Sequence, residues 1–331
     1  MKKIFIWILC IGFIFIAGCA RNKSTVKIES KTAFDEEVEY LNKLPKEEFE
    51  NKIKEIFGIA SSGDVKYYGK DEQIQAKKVI TALKEKSVPF LISKINSYNV
   101  REALGGIELL TSIDKYAVND LIATIKDLSV DPVVIRRSIN ILAEIGDKKA
   151  VNPIYDKLFS SDAGIKASAI YAMWKFNEKK AIPEILKALN DDNPSVVRRA
   201  VVVLGDFKET KAIPDLVKLL GNENYSIRYP AANSLIKIGD SAVDDIIKGI
   251  DSGNQLAKYQ IIECLGRIKN RKAVDPLIKM LYDSDFAVRG FAVEALDLIG
   301  DPKALRDIIK LRLDEKNPFV LEKVKNCIKL K

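Results

Sequence analysis

Apolar residues along this chain recur with a helical period inside short stretches, and the stretches themselves recur about every 31 residues. "KAIPEILKAL" (180–189) returns as "KAIPDLVKLL" (211–220) and again as "KAVDPLIKML" (272–281). The residues that open the units are Ser87, Ala117, Ala150, Ala181, Ala212, Ala242, Ala273 and Ala304, with spacings of 30, 33, 31, 31, 30, 31 and 31. Apolar side chains follow at offsets 1, 4, 5 and 8, as in Ile182, Ile185, Leu186 and Leu189. That spacing is one face of an α-helix. Pro183 and Pro214 fall in its first turn, where a missing N–H costs nothing. After a polar turn such as "NDDNPS" (190–195), a second apolar face runs through offsets 15, 19, 22, 23 and 26: Val196, Ala200, Val203, Leu204 and Phe207. Small alanines at offset 19 (Ala169, Ala200, Ala231, Ala292) let helices approach closely, and "IGD" (145–147, 238–240, 299–301) supplies a glycine that ends a helix.

Each unit therefore predicts helix, turn, helix. One such hairpin cannot bury both of its faces, and stacking on its neighbours completes the core. The expected fold is all-α: an α-solenoid, or superhelix, of about eight stacked helix-turn-helix repeats over 86–331. Upstream, "EEFENKIKEIFGI" (47–59) and "QIQAKKVITALKE" (73–85) predict two further helices, an N-terminal cap over 46–85.

The A-[IV]-P opener, the [VI]-R-x-x-A start of the second helix and the closing "IGD" resemble the HEAT-repeat superfamily, in particular the short repeats of phycobilisome lyases. "NENYSIRYPA" (222–231) and "DSDFAVRGFA" (283–292) carry the second element best. The resemblance implies that second helices line a concave binding surface. It also implies that the basic residue at offset 16 (Lys166, Arg228, Lys258, Arg289) bonds turn residues of its own or the adjacent unit.

The N-terminus reads as an address. Lys2 and Lys3 precede an apolar run from Ile4 to Ala17, the layout of a secretory signal. The run is shorter than the ~20 apolar residues of a spanning helix. Its end, "IAGC" (16–19), resembles the lipobox of bacterial lipoproteins, which implies cleavage before Cys19 and a lipid on its sulfur. The expected organisation is a signal peptide over 1–18, a lipidated cysteine and polar tether over 19–45, the cap, and the solenoid. The expected location is the cell envelope, lipid-anchored to a bacterial membrane.

Composition narrows the chemistry. The chain has 331 residues, 30% charged, a formal charge of +8 and no histidine. Ser-His-Asp and Cys-His catalysis are thereby removed. HEAT-type hydroxylases hold iron through His-Glu pairs, which a chain without histidine cannot copy. No phosphate loop, nucleotide fingerprint or CxxC motif is present, and no cofactor, metal or catalytic residue is expected. Mild, dispersed basicity does not predict nucleic-acid binding. Cys264 and Cys327 fall at buried offsets two units apart, too far for a disulfide, and are expected as buried thiols.

Offsets 17, 21 and 24 should face outward on the second helix. They hold a strip rich in Tyr, Trp and Arg, and those residue types dominate binding hot spots. The candidate partner-binding residues are Tyr171, Trp174, Arg198, Tyr229 and Tyr259, with Glu263 and Glu294 making the C-terminal end acidic. The sequence thus predicts a membrane-tethered, non-enzymatic scaffold that holds an unidentified envelope protein. The alternative is a chromophore- or cofactor-attaching, lyase-like factor.

Overall fold

The computed structural model describes residues 32–62, 69–252 and 254–329; the leader and Cys19 lie outside them. Among the described residues there is no strand. Three helices come first: α1 (Ala33–Lys43), α2 (Lys46–Ala60) and α3 (Lys70–Ala82). Eight helix pairs follow: α4 (Val88–Lys94) with α5 (Val100–Ile113), α6 (Val118–Lys126) with α7 (Pro132–Ile145), and α8 (Val151–Tyr155) with α9 (Ala163–Lys175). Next come α10 (Ile182–Lys187) with α11 (Pro194–Asp206), α12 (Ile213–Leu219) with α13 (Tyr225–Ile238), and α14 (Val243–Lys248) with α15 (Gln255–Ile268). The last two pairs are α16 (Val274–Met280) with α17 (Phe286–Ile299) and α18 (Lys303–Asp314) with α19 (Pro318–Lys329). The second helices, α5 through α19 in odd numbers, pack consecutively into one row, as the expected α-solenoid requires.

All eight unit openers are buried to 2% exposure or less. Most close a short 3-10 turn that leads into the first helix. Ser87, the one opener that is not alanine, donates its hydroxyl to the carbonyls of Lys84 (2.8 Å) and Ile80 (3.3 Å), so its own buried hydroxyl is paired. The second helices begin with one device repeated. Asn99, Asp131, Asp162, Asn193, Asn224, Asn254 and Asp285 each cap their helix by accepting a backbone N–H, and Asn317 accepts from the amide of Phe319. Each such cap contributes ~1 kcal/mol.

The offset-16 cations tie each unit to the turns, as the resemblance implied. Lys166 pairs with Asp191 (2.6 Å), Lys258 with Asp283 (2.8 Å) and Arg289 with Glu315 (2.7 Å), each in the next unit. Arg228 donates instead to the carbonyls of Asn222 (2.5 Å) and Glu223 (3.3 Å) in its own turn. A second row, Glu144, Lys175, Asp206 and Lys237, alternates in charge at 31-residue steps, with pairs at 2.9 Å (Lys175–Glu144) and 2.5 Å (Lys237–Asp206). Opposite charges at one repeat position fix the register between neighbouring helices.

Two expectations change. The stretch read as a tether through residue 45 contains α1, whose Leu41 is 2% exposed. An amphipathic "AFDEEVEYLNK" behind the capping box of Thr32 and Asp35 folds onto α2 and α3 rather than standing free. Gly205, Gly266 and Gly290, placed outward by offset, are buried between second helices. A Cβ on Gly205 would lie 2.5 Å from that of Ser234, one on Gly266 2.8 Å from that of Ala295, and one on Gly290 2.4 Å from the Phe319 ring. They are points of close helix approach. Cys264 and Cys327 are buried and neither joins a disulfide.

Candidate functional site

The expected strip resolves into three separate clusters along the second-helix row. In the first, Tyr171 donates its hydroxyl to Glu144 (2.8 Å), which also accepts from Lys175 (2.9 Å). The Arg199 guanidinium lies 5.0 Å from the Tyr171 ring centre, and the Trp174 ring 5.7 Å from it. Burial, then the bond to Glu144, raises the Tyr171 pKa, while Lys175 holds Glu144 below the usual carboxylate range. Tyr171 and Trp174 are half-buried and belong to the packing of α7, α9 and α11. Arg198 is exposed beside them. In the second cluster, Tyr229, 43% exposed, stacks on Tyr225 one turn earlier, with centroids 5.6 Å apart.

The third cluster brings predicted residues together. Between α15 and α17 lies a cleft of about 290 Å³ lined by Tyr259, Glu263, Arg267, Phe291, Glu294 and Leu298, with Ile262, Gly266 and Ala295 at its floor. Gly266 makes the cleft possible, because its missing side chain lets α17 approach. Tyr259 meets Phe291 edge to face at 5.9 Å, and Phe291 meets Phe319 at 5.8 Å. The Tyr259 hydroxyl donates to Asp285 (2.5 Å), the cap of α17, which fixes the ring at the cleft's mouth. Glu263 pairs with Arg267 (3.1 Å) and Glu294 with Lys323 (2.7 Å); all four groups are partly exposed, so these are solvated pairs that a ligand can exchange.

Sequence reasoning missed Phe291, Phe286, Phe319, Tyr225, Arg199 and Arg136. Phe291 and Arg199 stand at offset 18, one place past the row that was read as outward. Arg136 was hidden by the 33-residue spacing, whose longer turn shifts the offsets of α7 by two. Among the described residues, no group of three or more His, Cys, Asp or Glu side chains could hold a metal ion, and no helix is long and apolar enough to cross a membrane.

Comparison with known proteins bears on the expected function. The chain is 38% identical over 74 residues to deoxyhypusine hydroxylase of Gallus gallus, covering 22% of this chain and 24% of that protein. It is 32% identical over 103 residues to the Drosophila melanogaster deoxyhypusine hydroxylase, covering 30% and 33%. The chain thus spans a quarter to a third of these relatives. They overturn the expectation of a non-enzymatic scaffold and of its lyase-like alternative, since the relatives are named as an enzyme. Among solved structures, importin beta superposes with a TM-score of 0.57 at 13% identity, covering 89% of this chain and 47% of that one, a likeness of fold alone. The model of HEAT repeats matches residues 118–204, 182–250 and 243–326, more than half of the sequence, and with eight helix pairs stacked in register the chain belongs to the HEAT-repeat family.

Proposed function

We propose that the α15–α17 cleft receives a long, cationic side chain presented by a protein substrate, a lysine or a lysine lengthened by an amine-bearing arm. The observation that carries this reading is the cleft's composition. Two carboxylates, Glu263 and Glu294, stand one repeat apart over an apolar floor, and two aromatic rings, Tyr259 and Phe291, close one side. An alkyl chain fits such a floor, a ring face attracts an ammonium group, and the carboxylates exchange their own Arg267 and Lys323 partners for it. The name of the relatives supports this reading, since deoxyhypusine is a lysine extended by an aminobutyl group. The reading ends at recognition. The sequence has no histidine and the described residues gather no metal-binding set, so the groups present do not fit an iron centre of the His-Glu kind.

The test is titration of the full chain with peptides that differ only at one residue: lysine, its aminobutyl derivative or uncharged norleucine. The aminobutyl peptide should bind tightest, and Glu263→Gln with Glu294→Gln should weaken it about tenfold, the scale of two lost, partly exposed charge contacts of up to ~1 kcal/mol each. Equal binding of the norleucine peptide would refute the reading.

The N-terminal expectation remains a separate proposal: Cys19 is the lipid attachment point and holds the solenoid to a bacterial membrane, on its periplasmic or outer face. It rests on the charged start, the apolar run and "IAGC". Labelling cells with a palmitate analogue tests it, with incorporation expected in the parent chain and absent in Cys19→Ala.

A further inference from the structure

A different part of the second-helix row carries unpaired positive charge. Arg136, Ala167 and Arg198 are each the fifth residue of their helix, on α7, α9 and α11, which pack in that order. Arg136 leans onto α9: its Cδ and Nη1 lie 3.3 Å from where a Cβ on Gly164 would be. From the other side Arg199, half-buried, lies over the Tyr171 ring of α9 at 5.0 Å. Small residues, Gly164 and Ala167, therefore form a low floor between arginines on two walls. Among the described residues, the guanidinium groups of Arg136, Arg198 and Arg199 form no ion pair or hydrogen bond. Asp162 Oδ1 stands 3.2 Å from that same point above Gly164, but it caps the amide of Ile165 (2.8 Å) and forms no ion pair with Arg136; Asp191 pairs with Lys166, and Glu144 is shared by Tyr171 and Lys175. Burial and the adjacent Arg198 depress the pKa of Arg199, the mark of a cation lacking a counter-charge.

We infer that this arginine-rimmed floor over α9 is a docking surface for an acidic protein segment, whose carboxylates bridge Arg136 on one wall and Arg198 and Arg199 on the other. Guanidinium groups suit the task because they meet carboxylates through paired, planar hydrogen bonds. With neighbouring helices ~10 Å apart, α7 and α11 stand ~20 Å apart, so the occupant must be extended and carry several acidic residues. The inference stands apart from the α15–α17 cleft, and either can fail alone.

Fluorescence anisotropy with a labelled aspartate-rich peptide, against its asparagine counterpart, tests it on the full chain. The acidic peptide should bind, the asparagine peptide should not, and affinity should fall as salt rises. Arg198→Gln with Arg199→Gln should weaken binding about tenfold while circular dichroism stays helical, and Arg199→Lys should lose less because the charge remains. Lys272→Gln, in the turn before α16 and paired with Asp244, should change nothing. Equal binding of the asparagine peptide, or no loss in the double variant, would overturn the inference. So would displacement of the peptide by a single-stranded oligonucleotide at lower concentration than by unlabelled peptide, which would reassign the surface to phosphate.

Discussion

Arg289 grips Glu315 with two parallel hydrogen bonds, Nε to Oε2 at 2.7 Å and Nη2 to Oε1 at 3.0 Å, joining the seventh unit to the turn of the eighth. The Glu315 side chain is only 5% exposed, and the same carboxylate also accepts from the amides of Lys316 and Asn317. Arg289→Met would leave this carboxylate without its cation. A cost of ~2 kcal/mol is expected, between the values for exposed and for buried pairs. Arg289 holds the Glu315 carboxyl below its usual range, so this stabilisation is complete above the unfolded-state pKa of ~4.3 and is lost as pH falls through the lower folded value. Urea melts of parent and variant should therefore differ at neutral pH and converge in acid. A constant gap across that range would assign the cost to lost packing instead.

Gly205 and Ser234 set the spacing of α11 and α13. The Ser234 hydroxyl crosses to the carbonyl of Val201 at 2.9 Å, and a Cβ on Gly205 would fall 2.3 Å from that hydroxyl oxygen and 2.7 Å from the Ser234 Cα. Backbone stands in the way, so rotation of a side chain cannot make room. Although alanine is the better helix former by ~1 kcal/mol, Gly205→Ala is expected to lose ~1–3 kcal/mol to overpacking. Chemical denaturation measures the difference. A more stable variant would show that the two helices separate at little cost.

The fold was legible because its signal is redundant. Eight alanine or serine openers, eight Asx caps and two apolar faces repeat until chance is excluded, and each repetition has a packing cause. The site was less legible because its signal is not repeated. Tyr171 and Tyr259 occupy the same outward offset class, yet one is spent bridging Glu144 and Arg199 while the other frames a cleft. What separates them is the neighbour one unit away: Arg199 on α11 in one case, Phe291 on α17 in the other. A periodic reading averages over those neighbours. It likewise took Gly266 for surface, although the glycine is where two helices touch.

Tyr259 and Asp285 give a local test of the cleft's mouth. The Tyr259 hydroxyl donates to Asp285 at 2.5 Å and is the largest cause holding that carboxyl below its usual range, with the capped amides and Gln255 adding to it. Tyr259→Phe removes the hydroxyl and keeps the ring against Phe291. The Asp285 pKa should then rise toward the ordinary aspartate value of ~3.9, since one bond that favours its charged form is gone. An NMR titration of the labelled side chain reads this directly. An unmoved pKa would mean that the amides of α17 hold the carboxylate by themselves.

Cys264 offers the last test, because its thiol reports on the core of the second-helix row. Its side chain is fully buried, with Sγ 3.6 Å from the carbonyl of Ala232, and burial pushes the thiol far above its ordinary range, with Glu263 adding and Arg267 opposing. In the unfolded chain the same thiol ionises near pH ~8.5. A group whose folded pKa is raised contributes stability below the unfolded pKa and loses it as pH climbs, so the parent protein should weaken above pH ~8.5 through this residue. Cys264→Ala removes that dependence and costs ~1 kcal/mol of packing at neutral pH. Denaturation across neutral to alkaline pH should therefore show the parent ahead at first and the two proteins drawing together as the solution becomes basic. In the folded parent, a thiol reagent should fail to reach Cys264 until denaturant is added; rapid labelling under native conditions would show that α13 and α15 part readily.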